Sequence, residues 1–145
     1  GIKVILDFGR NPDGVVALLD VVNDLLGSEG ERGRLSVCVG QAGDRSDEDI
    51  FDLAKVITHG GPSKLYLRSM NGYLRGRSEG EVPRLFREAF IETGVQPDIL
   101  FDVEDELDAL EQAMKWAKPG DLILHLVHLE RESIESCLSK LGASL

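Results

Sequence analysis

The sequence predicts an α/β domain, a three-layer αβα sandwich around a mainly parallel sheet of five to six strands. Three observations carry that expectation. Short apolar runs alternate with amphipathic runs along the whole chain, the pattern of strands joined by crossover helices. The run "RLSVCVG" is apolar enough to be buried on both faces, as strands inside a parallel sheet are. The 145 residues, 42% of them apolar, suit one domain with one core, and no repeat or linker divides them.

Each element can be justified in order. "IKVILDF" reads as the first strand, and "GVVALLDVVNDLL" as the helix that follows it, with Pro12 near the first helical position, where the missing N–H costs nothing. "GSEGERG" is a loop, and "RLSVCVG" the second strand. A polar stretch then leads to Ser46, the expected N-cap of a helix through His59, with Asp47, Glu48 and Asp49 in a first turn that favours anions. His59, before Gly60 and Gly61, reads as a helix C-terminal residue. "SKLYLRS" is the third strand, "MNGYLRGRSEG" a loop, and "EVPRLFREAFIETG" a helix ended by Gly94. "DILFDV" gives the fourth strand. Leu107, Leu110, Ala113, Met114 and Ala117 form one apolar stripe on the next helix. Trp116 on that helix is expected in the core. "LILHLVHL" is the fifth strand and "ERESIESCLSKLG" the last helix.

Composition excludes several classes of function. The formal net charge is −10, from 26 acidic and 16 basic residues, which repels a polyanion such as nucleic acid. No apolar run has the length of a membrane span. Two cysteines, Cys38 and Cys137, give neither a disulfide framework nor zinc-ligand spacing, and read as structural thiols in a reducing, cytoplasmic setting. His125 and His128, three apart on a strand, point to opposite faces and make no metal pair. The chain opens at Gly1 almost directly on a strand, as expected of a domain excised from a longer protein.

Motif by motif, no catalytic centre emerges. There is no GxGxxG after the first strand, no P-loop, no nucleophile elbow and no HExxH. What remains is polar residues around the carboxyl ends of the strands, where ligands of open α/β sheets sit. Asp7, Arg10, Asn11 and Asp13 crowd the first strand-to-helix turn. In "GDRSDED", Asp44 is placed to orient Arg45 toward a carboxylate or phosphate; the alternative is a helix cap beside a solvated acidic face. In "LRGR", Arg75 and Arg77 flank Gly76 and could clamp an anion; the alternative is a solvent-facing loop that balances the acidic surface. Tyr73 in that loop is left open between packing and contact.

Four stretches in order, "LDFGRNPDGVVALL", "GQAGDRSDEDI", "LRGRSEGEVPRLFREA" and "ALEQAMKWAKPGDLIL", resemble the C-terminal domain of the Mur ligase family. Within it they look closest to the Mur-like domain of cyanophycin synthetase. The resemblance spans nearly the whole chain and rests on Asp7 with Asn11-Pro12, on Gly43-Asp44-Arg45, on Leu74-Arg75-Gly76-Arg77 and on Pro119-Gly120-Asp121. It implies a Rossmann-like domain that closes over a preceding central ATPase domain. That domain would hold ATP and Mg2+ and activate a carboxylate as an acyl phosphate, for attack by the amine of an amino acid, arginine in the cyanophycin case. By the same resemblance Asp7, Arg10, Asn11, Asp44 and Arg45 face the nucleotide, while Arg75 and Arg77 lie near the amino-acid substrate. No catalytic or metal-ligating residue is expected in this chain, which alone would be inactive. Two positions depart from the family pattern: Phe8 stands for the usual Tyr and Arg10 for the usual His. An Arg reaches a phosphate but offers no acceptor. The alternative reading is a binding or assembly module that keeps the fold without catalysis.

Overall fold

The computed structural model describes residues 2–7, 12–27, 32–40, 46–68, 80–103 and 106–126. Within them lie β1 (Lys3–Asp7), α1 (Pro12–Leu26), β2 (Leu35–Val39), α2 (Asp47–His59), β3 (Lys64–Arg68), α3 (Glu81–Glu92), β4 (Leu100–Val103), α4 (Glu106–Trp116) and β5 (Leu122–Leu126). The five strands form one sheet in the order β1-β5-β2-β3-β4, and every neighbouring pair is parallel.

The order explains the layering. From β1 through β4 the chain steps across the sheet in one direction, so right-handed crossovers put α1, α2 and α3 on the same face. The connection from β4 to β5 runs back, and the same handedness carries α4 to the other face. Side-chain alternation fits both layers. Leu35, Val37, Val39, Leu65, Leu67, Leu122 and Leu124 meet Val15, Leu19 and Val22 of α1, Ile50, Leu53 and Ile57 of α2, and Phe86 and Phe90 of α3. On the opposite face, Val4, Cys38, Tyr66, Val103 and Ile123 meet Ala109, Leu110 and Ala113 of α4. The α1 residues Val15, Leu19, Val22 and Leu26 recur at helical spacing, and their burial holds that helix down more than its propensity does.

Local chemistry sets the element ends. The Ser46 side chain accepts from the Asp49 N–H at 3.0 Å, which makes Ser46 the N-cap of α2. Gly60 is the C-cap, and His59 is the last helical residue. Thr93 caps α3, with Gly94 just beyond it at φ 103°. The fourth strand is shorter than expected, because Pro97–Ile99 close into a 3-10 turn before Leu100. The final helix expected over "ERESIESCLSKLG", with Cys137, lies outside the described residues, as does His128. Among the described residues, no helix is long and apolar enough to cross a membrane.

Candidate functional site

All strands being parallel, their carboxyl ends lie along one edge of the sheet: Asp7, Val39 with Gly40, Arg68, Val103 and Leu126. Asp7 ends β1 beside Leu126 of β5 and is partly exposed. The N-terminus of α1 sits at the same edge, where its dipole favours an anion and where Asp13 of the first turn already takes part of that field. Asp7 thus lies at the edge that also holds the N-terminus of α1. Arg10, Asn11, Asp44, Arg45, Tyr73, Arg75 and Arg77 lie outside the described residues. Among the described residues, no three His, Cys, Asp or Glu side chains gather to hold a metal ion.

The edge holds residues that the sequence reading passed over. Arg68, expected within the third strand, is the last residue of β3 and is only 4% exposed, a burial that the sequence reading did not anticipate. The alternation Lys64, Tyr66, Arg68 was the signal: it places all three on one face of the strand. Gly40, across from Arg68, makes room for it, since a Cβ there would lie 2.9 Å from the Arg68 carbonyl oxygen and 3.2 Å from Cζ and Nη2 of its guanidinium. His125 of β5 is fully buried on the same face, and among the described residues neither ring nitrogen has a hydrogen-bond partner. Burial, helped by the charge of Arg68, pushes its pKa down to about 3, so the ring is neutral. Burial, with a smaller contribution from Cys38, raises the pKa of Tyr66.

The Pro119-Gly120-Asp121 turn lies at the opposite, amino edge, and its role there is structural. Asp121 accepts from the Arg34 backbone N–H at 2.9 Å, from Arg34 Nε at 3.1 Å and Nη2 at 2.6 Å, and from the Lys118 N–H at 2.9 Å. Burial alone would raise the Asp121 pKa, but these hydrogen bonds and the Arg34 charge outweigh it and hold the carboxyl below its ordinary value. Arg34 also donates to the Trp116 carbonyl and lies over the Trp116 ring at 4.1 Å. This corrects the expectation for Trp116: it is half-buried beneath a cation at the end of α4, not a core residue. A cleft of about 170 Å³ opens between α1 and α2, lined by Val16, Leu19, Asp20, Asn23, Arg32 and His59 among others, none of them predicted as site residues.

An all-parallel αβα sheet, with a helix N-terminus and an acidic strand end on its carboxyl edge, defines a domain of Rossmann-like type. The chain matches the family model described as "Mur ligase, glutamate ligase domain" over residues 1–126, and it belongs to that family. Among solved structures it is similar to UDP-N-acetylmuramoyl-L-alanyl-D-glutamate--2,6-diaminopimelate ligase, with a TM-score of 0.67 and 15% identity, over 97% of this chain and 30% of that one. That likeness shows the fold, and the chain spans less than a third of that ligase. No curated protein in the comparison matched.

Proposed function

We propose that this chain is the substrate-binding and lid domain of an ATP-dependent amide ligase of the cyanophycin synthetase type, working against a preceding ATPase domain. Membership of the Mur ligase family over residues 1–126 carries the reading, since members of that family are ATP-dependent ligases. On this reading ATP and Mg2+ are held mainly by the preceding domain, and ATP supplies the phosphoryl group that activates a carboxylate. Asp7, Arg10, Asn11, Asp44 and Arg45 border the nucleotide on closure. Arg75 and Arg77 orient the incoming amino acid, arginine being the first to test, while closure excludes water from the activated carboxylate.

The test is the parent protein with ATP and a panel of amino acids, reading phosphate release and amide formation. One amino acid is expected to stimulate both, and Arg75→Ala and Arg77→Ala are expected to weaken its use. Loss of a desolvated ionic contact costs about 2–5 kcal/mol, and much less at a wet rim. Unchanged kinetic constants in both variants would place these arginines on a passive surface. Arg10 in place of the family His favours a second reading, a binding or assembly module without catalysis. A parent reading frame with no P-loop domain upstream would decide for it.

A further inference from the structure

The α4 face of the three central strands carries a polar row in which packing against α4 accounts for Cys38 and Tyr66 but not for His125. Cys38 of β2 pairs in register with His125 of β5 on one side and Tyr66 of β3 on the other. Imidazole, thiol and phenol therefore follow one another across the sheet. Arg68 stands two residues further along β3, toward the carboxyl edge, in the space that Gly40 leaves open. The other face of the same strands carries Val37, Val39, Leu65, Leu67, Leu122 and Leu124 at the alternate positions, so a polar row is not a requirement of this sheet. A buried polar atom without a partner costs about 1–3 kcal/mol, and His125 has two.

The charge in the row selects what it can take. Arg68 is always protonated, and it lies near enough to His125 to disfavour a second positive charge there. A metal cation would meet that repulsion. An oxyanion gains twice, from the planar guanidinium and from the N–H that a neutral imidazole presents. Arg68 already makes other interactions, and a guanidinium with five N–H donors serves more than one acceptor. We infer that Arg68 and His125 form the floor of an oxyanion-binding position at the carboxyl ends of β5, β2 and β3, taking a carboxylate or phosphate of a small ligand. The position depends on the ligase reading only for its link to a substrate; the binding itself does not.

The chain itself serves for the test, with 15N-labelled arginine and histidine followed by NMR. Inorganic phosphate is titrated in one arm and acetate in another, with chloride at matched ionic strength as the control. A saturable shift of the Arg68 Nε–H and the His125 ring nitrogens is expected with one of the two probes, and the arm that responds names the anion class. Arg68→Met should weaken the response by about tenfold or more, as loss of a charge-assisted hydrogen bond does. Arg68→Lys, which keeps the charge but not the fork, should fall between; it also serves if the methionine variant does not fold. No saturation in either arm, or affinity unchanged in a folded Arg68 variant, would overturn the inference. Saturable binding in a chain whose parent makes no amide would sink the ligase reading alone, and an active parent with no anion response would sink this one alone.

Discussion

Acid should destabilise this domain through His125, by an amount that its surroundings set. The ring is fully buried in the row of Cys38 and Tyr66, near the Arg68 charge, and its pKa is about 3 against an ordinary value of 6.5. Above about pH 6.5 the ring is neutral in both folded and unfolded chains and contributes no pH dependence. Below that, the unfolded chain takes up a proton that the native state refuses, so stability falls as pH falls, until the native ring itself titrates near pH 3. At one pKa unit for roughly 1.4 kcal/mol, the loss from this residue alone is about 2 kcal/mol at about pH 5. Urea unfolding of the wild-type chain and of His125→Leu, at about pH 7.5 and about pH 5, isolates this contribution, because the other titrating groups are common to both proteins. The variant should lose about 2 kcal/mol less than the wild type between the two conditions, and at the higher pH it should be no less stable, since two unpartnered nitrogens are gone. An equal loss in the two proteins would refute the reasoning and mean that the buried ring has a route to a proton in the native state.

At the amino edge, Asp121→Ala should lower unfolding free energy by about 3 kcal/mol, because it leaves Arg34 and two backbone N–H groups without their acceptor. Since the folded carboxyl titrates below its ordinary value, that contribution should be present at neutral pH and fade as pH drops below about 4, which urea titrations of both proteins would show. Gly33→Ala should be worse tolerated: its Cβ would lie 1.7 Å from the Gly120 carbonyl oxygen, so the two loops would have to part, with a loss of about 3 kcal/mol or more by the same measurement. Ser46→Ala should cost about 1 kcal/mol, through loss of the α2 cap.

The elements were legible because their signals are local. Apolar spacing on α1, the Ser46 cap and the apolar runs of β2 and β5 each report what a few neighbouring residues do. Strand order was not legible: the insertion of β5 between β1 and β2 is set by which nonlocal partners bury the most surface, and no run of residues encodes it. The burial of Arg68 was not legible for the same reason. Seen along the chain Arg68 opens a basic stretch through Arg77, while the sheet makes it the last inward residue of a strand whose neighbour ends in glycine. Trp116 reads as core by type, and only the approach of Arg34, far away in sequence, shows why it stays half exposed.

The two edges of the sheet divide the work, and the division bears on how family motifs are to be used. Pro119-Gly120-Asp121 was as useful for recognising the family as the turn at Asp7, yet it stands at the amino edge. There Asp121 joins the segment before β2 to the turn before β5 and so fixes the register of two central strands. Asp7, Gly40, Arg68 and Leu126 lie at the other edge, away from that clasp. A motif can therefore mark the family through the scaffold without standing at the edge where a ligand would bind. By that argument the proposed oxyanion position at Arg68 and His125 would say more about this chain than the motifs that place it among the Mur ligases, and Arg68→Lys should change anion binding before it changes whether the domain folds.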